Sequence, residues 1–398
     1  MMNMKTLKTS IFAATFALAA LVSCTSQDDI YKEFVKDGGL IYPAKAADVK
    51  SETGFNKVTL FWPVPKDPSV RSARIYWDNK TDSIDLNYSD FTDTVSVKIV
   101  NLDDRSYTFT IVNFDKFGNK SMESDLTATP YGKNWLSTHE ERQFKHAWVD
   151  GTTATVQLTE STSEMVATKF RYKNLDGEWV EFGPRMTPRE VNFKLTNAMR
   201  GKYFEFSSGF LPSDGRDTAW MEWSKSTYPI VYPLDTKGWT VTEMDGIAWG
   251  GGLNTPDLMF DGVANNQNSR WHCTKGTKFP KILAFDTHAE EGKEPSFKTF
   301  SFYEHPTSSG YRYLNNLSIF AGNEPYDAND KNYSANYGTP YINNAKFWRS
   351  GAVQSCNRSG EMAPSRYFSV VFTNSYNKYG YLDIWELVVW GYIEADAN

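Results

Sequence analysis

VSVKIVNLDDRSYTFTIVNFDKFGN, residues 95–119, alternates apolar and polar side chains, breaks, and alternates again. Val95, Val97 and Ile99 share one face, and Ser96 and Lys98 the other. Tyr107-Thr108-Phe109-Thr110-Ile111-Val112 repeats the pattern and stops before Asp115-Lys116-Phe117-Gly118-Asn119. A period of two is that of a strand with one buried face, and the residues that end it are turn formers. The rhythm extends upstream. Val58-Thr59-Leu60-Phe61-Trp62 stops at Pro63, and Ala73-Arg74-Ile75-Tyr76-Trp77 stops at Asp78-Asn79. Downstream lie Thr153–Leu158, Lys169–Tyr172 and Tyr203–Phe206, and Asp176-Gly177 predicts a hairpin between "FRYKNL" and "EWVEF". No long segment of period 3.6 competes. The fold class is all-β, built from tandem antiparallel β-sandwiches.

Composition narrows the function. The formal net charge is −6 and the sequence pI about 5.5, which argues against a nucleic-acid partner. Aromatic residues make up 15% of the chain, with 13 Trp and 22 Tyr. That level suits β-rich cores and surfaces that meet carbohydrate or peptide.

The N-terminus reads as an export signal. Lys5 and Lys8 precede an uncharged apolar stretch, Ile11 to Val22, too short to span a bilayer comfortably. Leu21-Val22-Ser23-Cys24 resembles the bacterial lipobox, which implies that residues 1–23 are removed and that Cys24 is lipidated. Asp28-Asp29 resembles the signal that sends lipoproteins of the Bacteroidota to the cell surface. The resemblance implies an outer-membrane lipoprotein facing the exterior, held by acyl chains buried in lipid. Residues 24–45 are polar and irregular and read as the tether. No later segment approaches a transmembrane run.

Leu102, Tyr107, Phe109, Val112 and Gly118 fall where a fibronectin type III-like module has its tyrosine corner and following strand, and Trp62 matches the core aromatic of an early strand. The segment from Lys57 to Ser121 also resembles the DUF4998 family of Bacteroidota lipoproteins, a likeness reaching over about residues 46–230. These resemblances imply two fibronectin type III-like sandwiches, 46–130 and 131–232. Pro229 and Pro233 mark the boundary that follows.

Residues 236–393 resemble a discoidin-like (coagulation factor 5/8 type C) sandwich, the fold of family 32 carbohydrate-binding modules. Six blocks carry the likeness in order: Phe260-Asp261-Gly262 with Ser269-Arg270-Trp271, Pro280 to Asp286, Phe297 to Phe302, Leu317 to Gly322, Arg366 to Val371, and Leu382 to Gly391. Departures include Ser269 in place of Thr and Asp286-Thr287-His288 in place of the usual turn. In such modules this first loop wraps a structural Ca²⁺, and the matching positions here are Asp261, Ser269 and Glu386. The plainer reading is that Asp261 caps the turn and Glu386 makes a local hydrogen bond.

Ligands of such modules meet loops at one end of the sandwich, where an aromatic face meets a sugar and amide, Arg or His groups meet its hydroxyls. Three loops supply these types: Trp249 to Asn254; Asn265 to Asn268 with Trp271-His272; and Phe347-Trp348-Arg349 followed by Asn357-Arg358. The candidate binding residues are Trp249, Asn254, His272, Trp348, Arg349 and Arg358, with Trp271 read as a core residue. Cys273 and Cys356 are either a disulfide that would hold two of these loops together or two buried free thiols.

The search for catalytic patterns returns nothing. His139-Glu140-Glu141-Arg142-Gln143 has Gln where a zinc-protease helix needs its second His, no Gly-x-Ser-x-Gly elbow occurs, and Asp327 to Asn332 only faintly echoes a calcium loop. The expectation is a non-catalytic cell-surface lipoprotein that binds a glycan, alongside protein partners of a surface uptake system. The alternative is a structural or adhesive surface protein that contacts protein partners.

Overall fold

The computed structural model describes residues 42–185, 189–248, 254–264, 266, 268–273, 278–304, 314–349, 353–376 and 379–397. The described residues are almost wholly β in their regular structure, and the chain forms two compact units. One runs to Ser137 and includes Asp214–Asp217; the other holds Thr138–Ser213 and the chain from Thr218 onward.

The first unit contains one sandwich. Strands β1 (Lys50–Gly54), β2 (Lys57–Pro63) and β5 (Thr94–Val100) form one sheet. Strands β3 (Val70–Trp77), β4 (Asp82–Asn87), β6 (Tyr107–Asp115) and β7 (Ser124–Ala128) form the other. The alternation read from the sequence is the alternation of burial: Val58, Leu60, Trp62, Val95, Val97, Ile99, Phe109 and Ile111 share one core. Each such large side chain contributes about 1.5–3 kcal/mol when fully buried. The tyrosine corner is present, because the Asp103 amide donates to the Tyr107 hydroxyl at 3.0 Å above buried Leu102. Trp62 is buried, and its indole N–H donates to the Tyr88 hydroxyl at 3.2 Å. Residues 214–217 belong to this unit through Asp217, whose carboxylate meets Lys57 at 2.8 Å and whose backbone N–H donates to the Tyr131 hydroxyl at 2.8 Å.

The second unit contains two sandwiches. In the first of these, β8 (Phe144–Asp150), β9 (Thr153–Leu158) and β12 (Asn192–Thr196) form one sheet. Facing residues come from β10 (Met165–Lys173), β11 (Trp179–Arg185), β13 (Phe204–Phe210), β14 (Ala219–Trp220) and β15 (Ser224–Lys225). The Asp176-Gly177 turn joins β10 to β11, with Gly177 at φ +82°, a conformation glycine adopts without strain.

The segment between the two sandwiches is part of the interior. Tyr228, Ile230, Val231, Tyr232 and Leu234 are buried. Val231 exchanges backbone hydrogen bonds with Val149 and Ala147, and β16 (Tyr232–Pro233) pairs with the last strand. One apolar cluster therefore runs from Ala147 through Val231 to Tyr392.

The C-terminal sandwich consists of two five-stranded sheets. One contains β16, β18 (Trp271–His272), β20 (Pro295–Glu304), β23 (Gln354–Asn357) and β25 (Asp383–Ile393). The other runs β17 (Thr240–Glu243), β19 (Lys281–Asp286), β24 (Tyr367–Ser375), β21 (Leu314–Gly322) and β22 (Ile342–Lys346). The five later sequence blocks lie on β19, β20, β21, β24 and β25, and their inward aromatics interlock. Phe285 stacks on Phe368 at 4.3 Å, and Trp271 on Phe372 at 5.3 Å. The outer face of the second sheet is covered as well. Phe320 and Val371 pack with Tyr337 and Ala328 of the 323–341 excursion, in which Asp327 and Asp330 cap turns.

Candidate functional site

One end of the C-terminal sandwich gathers the ends of β20, β22 and β24 with the starts of β21, β23 and β25. The register fixes this: Phe302 faces Gln354, Glu304 faces Ile384, and Leu314 faces Ser375. Phe347, just past β22, is buried against Phe302 in an edge-to-face contact at 5.7 Å. The next side chain, Trp348, is 81% exposed.

An exposed indole on a loop would ordinarily wander, but the Trp348 backbone is clamped. Its N–H donates to Gln354 Oε1 at 2.7 Å, and Gln354 Nε2 donates to its carbonyl at 2.8 Å. The same Nε2 lies 3.0 Å from Glu304 Oε2, and the Leu314 amide donates to Glu304 Oε1 at 2.5 Å. Glu304 is 3% exposed, and burial pushes its carboxyl up to about 7 against the pull of those two donors. Tyr376, partly exposed beside this loop, donates its hydroxyl to the Phe347 carbonyl at 2.9 Å. Sequence reading missed Gln354, Glu304 and Tyr376. The available signal was Glu304 as a lone acid closing the apolar run of β20.

The candidate binding residues do not all meet. Trp348 and Arg349 are exposed at this end. Asn254 is half-buried and accepts from Arg270 Nε at 3.3 Å. Trp249 lies outside the described residues. His272 does not reach the rim as expected. It is 3% exposed, stacks on Tyr381 at 5.4 Å, and holds Nδ1 3.3 Å from buried Asp383, which also meets Arg270 at 3.1 Å. Burial of that acid calls for a cationic partner, and Arg270 supplies one. Arg358 lies past the far end of β23, its guanidinium donating to the Tyr341 and Glu361 carbonyls and lying 4.6 Å over the Tyr341 ring. Trp271 is fully buried, in the core role read from the sequence.

The disulfide alternative does not hold; both thiols are free and buried. Cys273 faces Leu382, whereas Cys356 faces Phe300, which faces Val389. Seven residues along a strand correspond to roughly 23 Å, far beyond a bridge.

Asp261, Ser269 and Glu386 do come together. Ser269 donates its hydroxyl to Asp261 Oδ2, and the other Asp261 oxygen caps Val263 N–H at 2.9 Å. Glu386 is buried among them, with its carboxyl raised to about 7 by burial and secondarily by Asp261, while the Gly262 and Val263 amides pull it down. Its Oε2 has no hydrogen-bond partner among the described residues. Two carboxylates, a hydroxyl and one orphaned buried oxygen are a hard-donor set. No group of three or more His, Cys, Asp or Glu gathers for a metal among the described residues.

Residues 24–217 match the family model DUF4998, described as a domain of unknown function. That stretch, a little under half of the chain, is what the likeness to the family covers. No curated protein matches the chain. Among solved structures, a SusE-like protein is 10% identical, with a TM-score of 0.33, over 88% of this chain and 99% of its own. The C-terminal domain of a chitobiase from Bacteroides fragilis is 14% identical, with a TM-score of 0.30, over 40% of this chain and 98% of its own. A family 32 module of a family 31 glycoside hydrolase bound to GalNAc is 16% identical, with a TM-score of 0.28, over 38% of this chain and 95% of its own. The match ends at Asp217, the last of the residues that return to the first unit. The Trp348 platform and the Asp261 cluster both lie C-terminal to it. Cys24 begins the match and lies outside the described residues, among which no helix is long and apolar enough to cross a membrane.

Proposed function

We propose that this chain is a surface lipoprotein, anchored through acylated Cys24, that binds a glycan without transforming it. The site is the loop end of the C-terminal sandwich. The observation that carries this reading is Trp348: an indole 81% exposed on a backbone fixed by Gln354. A ring presented from a fixed backbone loses less entropy when the apolar face of a sugar stacks on it. Arg349 and Tyr376 stand beside it to meet hydroxyls. Pre-organisation of this kind serves recognition, and the ring brings no acid, base or nucleophile to a bond.

Asp261, Ser269 and Glu386 would hold a Ca²⁺. The orphaned oxygen of Glu386 and the Asp261–Ser269 pair favour a hard cation there. Its contribution would be structural, tying the 261–269 loop to β25.

A glycan array probed with the intact protein tests the proposal. Retention on a set of related sugars supports it; a flat array, with a protein partner recovered from the cell surface instead, would favour an adhesive role.

A further inference from the structure

The outward face of β10 carries a row of cations set between indoles. Lys169, Arg171 and Lys173 occupy every second position of the strand. Lys169 Nζ lies 4.5 Å from the Trp220 ring and 4.7 Å from the Trp223 ring. The Arg171 guanidinium lies 5.0 Å from Trp223 and 5.7 Å from Trp179, and Lys173 Nζ lies 5.9 Å from Trp179. Beyond Trp179 the row opens on a pocket of about 210 Å³ lined by Lys173, Trp179, Lys202, Tyr203, Glu205 and Lys225. Lys225 Nζ stands 3.9 Å over the Tyr203 ring, and Lys202 donates to the Asp396 carbonyl.

The charge balance of this pocket is unusual for a chain of net charge −6. Three ammonium groups face one carboxylate, and Arg171 already engages that carboxylate, with Nε 2.7 Å from Glu205. Glu394 stands beside the pocket, its carboxylate accepting from the Tyr203 hydroxyl at 3.2 Å, whereas Glu181, opposite Arg171 on β11, and Glu222, between the two paired indoles, are exposed away from the lining. The indoles hold the cations in fixed places, so an incoming anion need not order flexible side chains. Their faces are occupied by those cations, which leaves little platform for stacked nucleic-acid bases.

We propose that this face, with the pocket at its Lys173 end, holds an acidic polysaccharide whose sugars carry carboxylate or sulfate groups. The anionic group sits among Lys173, Lys202 and Lys225, and Trp179 and Tyr203 flank the sugar that bears it. This site is separate from Trp348 and stands or falls without it.

The test measures binding of the intact protein to heparin (sulfated), polygalacturonate (uronate), dextran (neutral) and an oligothymidylate at low salt. One or both acidic polymers should bind, and dextran should not. The triple variant Lys173→Ala, Lys202→Ala, Lys225→Ala should bind about 10- to 100-fold more weakly, with its thermal midpoint close to that of the parent. The choice between heparin and polygalacturonate identifies the anionic group. Three results would overturn the proposal: no binding to either acidic polymer, equal binding by the triple variant, or tighter binding of the oligothymidylate.

Discussion

The carboxamide of Gln354 holds both backbone groups of Trp348, accepting from its N–H at 2.7 Å and donating to its carbonyl at 2.8 Å. Gln354 is itself set by Glu304 at 3.0 Å. A buried acid thus fixes an amide, which fixes a loop, which presents an indole.

Replacing Gln354 with Ala leaves the indole in place but frees its backbone. Glycan affinity should fall about tenfold, with a stability loss of about 1–3 kcal/mol because Glu304 loses a donor. Titration calorimetry and denaturant unfolding on the same variant check both numbers. Unchanged affinity would mean that the clamp is irrelevant to binding.

Stability should depend on pH in two opposed ways. Glu304 and Glu386 have carboxyls raised to about 7, while the His146 imidazole is lowered to about 4 by burial and then by Lys298. For the acids, the unfolded groups ionise first as pH rises from about 4.5, so their stabilising effect is present below that pH and lost through about 7. For His146, the unfolded ring takes up its proton near 6.5, so stability falls as pH drops from about 6.5 toward 4. The two windows overlap, and from about pH 4.5 the two acids outweigh the one imidazole, so thermal midpoints in a chelator should peak near 4.5 and fall along an alkaline arm toward 7. Glu386→Gln should flatten the alkaline arm, and an unaltered profile would contradict the assignment.

Calcium should act through the same Glu386. At a hundredfold excess over Kd, Ca²⁺ should add about 2.7 kcal/mol of stability. The increment should grow from pH 6 to 8 as the carboxyl loses its proton, and vanish in Glu386→Gln. Calorimetric scans with and without a chelator measure it; the same increment in the variant would place the ion elsewhere.

Cys273 and Cys356 should resist a thiol reagent in the folded protein and react fully in denaturant without prior reduction. Burial raises both thiols, Cys356 to about 12. A need for reductant would contradict the strand separation described above.

Much of this architecture is written in local pattern. Alternation at Val95–Val100 and Tyr107–Val112 gave strands, while the corner at Leu102 and Tyr107 and the long last strand at Leu382–Gly391 came from the resemblances to fibronectin type III-like and discoidin-like modules. The tertiary partners are not legible in that way. Glu304 and Gln354 meet because β20 and β23 pair in one register, and 50 residues of sequence separate them. An even cysteine count says nothing about strands that hold two thiols seven positions apart. His272 has the chemistry of a rim ligand, but pairing of β18 with β25 places it against Asp383. Lys169, Arg171 and Lys173 are visible as an outward row, yet the indoles between them come from other strands. The return of residues 214–217 to the first unit has no local signal either.

The central claim is that Trp348 is the sugar-binding surface. Titration of the intact protein and of Trp348→Ala with a glycan retained on the array tests it most directly. Because the side chain is exposed, the variant should unfold within about 0.5 kcal/mol of the parent while losing at least about tenfold in affinity. A variant that is equally stable and binds the glycan as tightly as the parent would contradict the account.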